Sequence, residues 1–171
     1  MIKNLFIPAF LLITLSSFAQ DNLTELDKRN GFKNIKMGMH IDSVPGSKFK
    51  KEFKEKGKHP AKLYLVENPD NGTIGEVVVN KIEVKTYKEL IYEISVFTKK
   101  DTRLMKGLES ALGKPVYDVR DETYTWMGKN LSMKFGQAPK NQLELVYSSV
   151  LVHKMMDEDK KKKIEDIASD F

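Results

Sequence analysis

Cysteine is missing from this chain of 171 residues. Without a thiol there is no disulfide, no thiolate ligand for a metal and no acylated residue at an export cleavage point. Lipid anchoring is therefore excluded, and the fold has to rest on an apolar core alone. Charge of one sign is also scarce: 29 Lys and Arg face 24 Asp and Glu, a net +5. That is a mildly basic surface and not a nucleic-acid-binding composition, so no nucleic acid is expected as a partner. Neither a glycine-rich phosphate loop nor an H-E-x-x-H motif occurs, so no cofactor, no metal site and no enzymatic activity are expected. After the first twenty residues no apolar run comes near the about 20 residues that a membrane-spanning helix requires.

What is present begins with MIKNLFIPAFLLITLSSFAQ: a positive start at Lys3, an apolar run from Leu5 to Leu15, and small residues at Ser17 and Ala19. This is the pattern of a secretory signal peptide over residues 1–19, cleaved after Ala19, and it implies a periplasmic or secreted bacterial protein with no membrane span or lipid anchor after cleavage. Residues 20–171 are long enough for one apolar core and read as a single domain.

Along that domain Leu23 and Leu26 suit a short docking helix stopped at Asn30-Gly31. Phe49 and Phe53, four apart among lysines, predict an amphipathic helix from Ser47 to Gly57. Strands are expected from Lys62 to Glu67 and from Glu76 to Tyr87, where the apolar phase slips at Asn80-Lys81 and calls for a bulge or a two-residue turn. Another follows from Leu90 to Val96. Leu104, Met105, Leu108, Ala111 and Leu112 recur at helical spacing after Asp101-Thr102 and stop at Gly113. A hairpin follows, with Tyr124 and Trp126 on one arm and Leu131, Met133 and Phe135 on the other. Leu143 opens a strand running to about Val152, and Ile164, Ile167, Ala168 and Phe171 mark the stripe of a C-terminal helix over about 157–170. The expected fold class is therefore α+β: an antiparallel sheet from two tandem helix-plus-three-strand units, about 31–99 and 100–153, with the helices packed on one face and a closing helix.

The run Ile35-Lys36-Met37-Gly38-Met39, with Val44 after it, resembles the I-x-x-G-M-x-x-x-x-V entry of the small outer-membrane assembly lipoproteins of the SmpA/OmlA type. Leu112-Gly113-Lys114-Pro115 followed by Tyr124-Thr125-Trp126 resembles that family's helix-ending L-G-x-P and aromatic strand, although the first half carries Val44-Pro45-Gly46 in place of the L-G-x-P stop. The doubled arrangement is similar to the β-lactamase-inhibitor-protein fold. The resemblance implies an exported, protein-binding kind of role.

Candidate chemistry is sparse. Ser47 to Lys50 matches S-x-x-K, but neither S-D-N nor K-T-G accompanies it. His40, His59 and His153 are far apart in sequence and lack the partners of a zinc set. Asp118, Asp121 and Glu122 form an acidic group to be tested for calcium or for hydrolytic chemistry, while Asp70 suits a turn and Asp157 to Asp159 a helix start. Asn22-Leu23-Thr24 and Asn71-Gly72-Thr73 match glycosylation acceptors, discounted beside a leader of bacterial type. Tyr124, Trp126 and Phe135 are either core or an aromatic platform. Seven lysines lie between Lys48 and Lys62 against only Glu52 and Glu55, a solvated face or a contact for an anionic component. The expectation is a non-enzymatic binding module of the bacterial envelope, its partner another envelope protein or an anionic envelope component. The alternatives are a binding protein for a small ligand or anionic polymer, and a hydrolase acting on envelope material. A small-ligand protein would need a concave apolar pocket, expected near Lys48 to Lys62.

Overall fold

Strand-forming runs dominate the chain from Ser47 onward, and they assemble into a nine-stranded antiparallel sheet. The computed structural model describes residues 23–171, so the expected signal peptide lies outside the described residues. The order begins with helix α1 (Glu25–Arg29) and a small hairpin, β1 (Gly31–Phe32) with β2 (Ile35–Lys36). It continues with β3 (Ser47–Glu55), β4 (His59–Val66), β5 (Thr73–Ile74), β6 (Val77–Tyr87) and β7 (Leu90–Lys99). Helix α2 (Arg103–Leu112) crosses to β8 (Val116–Asp118), β9 (Thr123–Met127), β10 (Leu131–Ala138) and β11 (Gln142–Ser149), and α3 (Val150–Ala168) closes the chain. Across the sheet the order is β3-β4-β6-β7-β11-β10-β9-β8, with β5 beside β6. Two meanders therefore meet through their last strands, along a seam from Gln142 opposite Lys99 to Ser148 opposite Glu93.

This overturns the expected doubling of a helix and three strands. The first unit has no α-helix, only single 3-10 turns at Ile41–Ser43 and Pro69–Asn71, and Ser47 to Glu55 is strand β3. A spacing of four fits a helix face, but it equally fits two turns of strand alternation, and a bulge between Phe49 and Lys51 then separates the two rings. Phe49 packs edge-on against Tyr64, whereas Phe53 joins the cluster beneath α3. Nor do the helices share a face. Tyr64 and Val66 of β4 belong with the core under α1 and α2, while Ala61, of opposite parity, packs with Val152 and Met156 of α3. The helix α3 also starts at Val150 and not near Asp157, because the Ser149 hydroxyl accepts from the Val152 amide and caps it there.

Bulges keep the apolar residues on their proper sides. The slip at Asn80 is a bulge between Val79 and Lys81, which brings Val77, Val79, Ile82 and Val84 into one core. A second irregularity, opposite Lys85 and Thr86, lets Ile91 join the α2 side while Tyr92 joins the α3 side. Trp126 is core: it is buried, and its indole N–H donates to the Gly113 carbonyl at 2.7 Å, tying the end of α2 to β9. Among the described residues no helix is long and apolar enough to cross a membrane.

Candidate functional site

The sheet face under α2 is incompletely filled. The helix carries a clean apolar stripe, yet only Leu104 of it is fully buried, while Met105, Leu108 and Leu112 are half-buried. The reason is a cavity of about 810 Å³ between α2, α1, the β1–β2 hairpin and the β5–β6 turn. Its floor is Leu145 and Tyr147 of β11, its walls are Leu26, Phe32, Ile74 and Val77, and its roof is Leu104, Leu108, Ala111 and Leu112 around Gly107. Two small residues four apart on a helix leave a groove in its lower surface, which keeps this space open.

One wall is held by a carboxylate. Thr24 and Asp27 form a capping box at the start of α1, and Asp27 is itself buried. Its two oxygens accept from the backbone amides of Lys129 and Asn130, each at 2.8 Å, so the short helix is pinned to the β9–β10 turn. Burial pushes the Asp27 carboxyl up, but the amides of Asn130 and Lys129 together with Thr24 outweigh that and hold it below the usual carboxylate range. The approach is so close that a Cβ on Gly128 would lie 2.6 Å from the Asp27 carboxylate. The hairpin beside α1 depends on Gly31 likewise: its φ is +128°, and a Cβ there would meet the Ile35 carbonyl at 2.4 Å.

The polar groups on the cavity are unequal. Arg103 is neutralised by Asp101 and by Glu76, at 2.8 and 2.9 Å, and its charge is held firmly by both. Arg29, Lys33 and Lys36 have no carboxylate partner among the described residues; the two lysines donate only to the backbone carbonyls of Asp70 and Arg29, at 2.6 and 2.8 Å. Tyr147 is 7 % exposed, its ring against Phe32, and its hydroxyl has no hydrogen-bond partner among the described residues. Burial pushes its phenol up to about 12, against the pull of the Arg29 charge, so it remains a donor at neutral pH.

The residues singled out in the sequence lie elsewhere. Ser47 donates weakly to the Ile41 carbonyl and has no contact with Lys50, so the S-x-x-K spacing assembles nothing. His40 caps a turn and lies 3.4 Å from Asp42, His59 lies 3.9 Å from Asp157, and His153 bonds the Ser149 carbonyl. Among the described residues no group of three or more His, Asp or Glu could hold a metal ion. Asp118, Asp121 and Glu122 form an exposed turn in which Asp118 accepts from the Arg120 amide and Asp121 faces Lys134 at 3.5 Å. Asp157 to Asp159 lie inside α3, where Asp159 joins Tyr87 and Lys88. The Asn71 side chain is buried, which closes that acceptor to a glycan; Asn22 lies outside the described residues. Of the lysine-rich segment, Lys48 pairs with Glu67 and Lys62 with Glu89, and none of its residues lines the cavity. Tyr124 is half-buried and packs at a tilt against Tyr117, ring centroids 4.8 Å apart, and Phe135 is buried.

No family model, no curated protein and no solved structure matches the chain. The cavity is therefore read from its own residues. Leu26, Phe32, Leu108, Leu145 and Tyr147 carry no local signal of a site. The one trace in the sequence is Gly107 and Ala111 inside an otherwise bulky stripe.

Proposed function

We propose that this chain is an exported, non-enzymatic binding module of the bacterial envelope, and that its ligand is a small, largely apolar molecule held beneath α2. The observation that carries the reading is the cavity itself. Its volume of about 810 Å³ lies within the range of roughly 300–1,000 Å³ typical of small-molecule sites, and its walls are mainly aliphatic. Unfilled space beneath an apolar stripe costs the free protein packing contacts, and a ligand that occupies it restores them. The small-ligand reading thereby gains over contact with an anionic polymer, since the free lysines of β3 lie on a solvated strand away from this concavity.

The test is titration of the purified protein with N-phenylnaphthylamine, whose emission rises in an apolar site. Saturable binding at one site is expected, together with its loss in Gly107→Phe, which fills the roof where a Cβ meets nothing within 4 Å. Thermal unfolding of the variant confirms that the fold is kept. An emission that never rises, or that rises equally in a folded Gly107→Phe protein, would sink the reading.

A further inference from the structure

The charge at the cavity mouth specifies more than an apolar ligand. Arg29 ends α1 next to the hairpin that carries Lys33 and Lys36, and all three line the same space with no salt bridge to a carboxylate among the described residues. Among the described residues the only acid on the lining, Glu76, is taken by Arg103. Tyr147, a largely buried residue, lines the same space, and its hydroxyl has no hydrogen-bond partner among the described residues, so it is free to donate to an acceptor that reaches it. We propose that the ligand is an amphipathic monoanion, its single apolar chain beneath α2 and its carboxylate between the Tyr147 hydroxyl and the Arg29 guanidinium. This rests on the cavity being a ligand site.

The chemistry of each partner supports the assignment. The phenol keeps its proton, so it can donate to an oxygen anion. A guanidinium presents a planar fork that matches a carboxylate with two parallel N–H donors, and it stays charged at every physiological pH. In a partly desolvated mouth both hydrogen bonds are charge-assisted, which makes them stronger than those to a neutral hydroxyl head. A cationic head would face three unneutralised positive charges.

The experiment compares three probes of equal chain length, laurate, dodecanol and dodecyltrimethylammonium, each displacing N-phenylnaphthylamine below its micelle concentration. Laurate should displace at concentrations at least ten-fold lower than dodecanol, and the ammonium should be weakest. Arg29→Gln and Tyr147→Phe should each weaken laurate five- to thirty-fold, while dodecanol should be unchanged by the first and weakened less than laurate by the second. Tyr147→Phe should also leave the melting temperature of the free protein unchanged, as loss of a hydroxyl bonded within the fold would not. Equal binding of laurate and dodecanol, or a preference that survives both substitutions, would overturn the head-group assignment while leaving the cavity reading intact. If no probe displaces the dye, the cavity reading falls and this inference with it.

Discussion

The two faces of the sheet are covered by helices whose patterns and burial run in opposite directions. On one side α2 has an ordered stripe of Leu104, Met105, Leu108 and Leu112, and it seats one side chain fully. On the other, α3 is mostly charged and solvated, yet Val152 and Met156 are driven to 5 % and 1 % exposure among Tyr87, Tyr92, Phe53 and Ala61. Polar ties finish that second contact: the Tyr87 hydroxyl donates to Asp159 of α3 at 2.9 Å, across the sheet-to-helix boundary, and the Tyr92 hydroxyl donates to Glu55 of β3 at 2.7 Å, within the sheet. Periodicity thus tells which side of a helix turns inward. It does not tell whether the space it meets is filled.

Substitutions on the two sides should expose this difference. Met156→Ala removes a fully enclosed side chain and should cost about 3 kcal/mol in denaturant unfolding. A loss under 1 kcal/mol would show that α3 is not the firmly packed helix.

Next in size is the pin on the hollow side. Asp27→Ala removes the acceptor of two backbone amides and of the Thr24 cap, at about 2 kcal/mol. The sign of its pH dependence follows from the depressed carboxyl. Its contribution is fully present above the unfolded value of about 3.9 and is lost as pH falls through the lower folded value. Melting temperature between pH 2 and 7 should therefore fall less steeply at the acid end in Asp27→Asn than in the parent. Identical slopes would remove Asp27 from the account.

The smallest effect belongs to Leu108→Ala. That side chain is half-buried against space that is already open, so about 1 kcal/mol is expected, well below the enclosed methionine. Equal losses for the two helices would erase the distinction between them.

Much of the strand framework was legible from residue alternation alone, including the bulge at Asn80 and the helix ended by Gly113. What misled were patterns that satisfy two periods at once. Phe49 and Phe53 fit a helix or a strand, and the lysines between them favour the wrong choice. Val150 and Val152 look like the end of a strand, and only the capping hydroxyl of Ser149 turns them into the first turn of α3. The cavity under α2 was not legible at all, because it is made by α1, β5, α2 and β11, which no local pattern relates; a smaller concavity of about 500 Å³ does lie beside Lys54 and Lys62, where a pocket was expected. Of the two readings open for Trp126, core is the one found, the commoner fate of an aromatic on an alternating strand.

The seam between β7 and β11 sets the order in which the molecule is built. Each meander can zip up from neighbouring hairpins, but the seam joins residues roughly fifty positions apart, and closing that loop costs entropy before any contact repays it. Leu145 and Tyr147 lie on the later strand of that seam, so the hollow exists only once the slow step is complete. A ligand seated there meets no formed site in the unfolded chain. It would act as a lock on the finished structure, slowing unfolding while leaving the rate of folding unchanged.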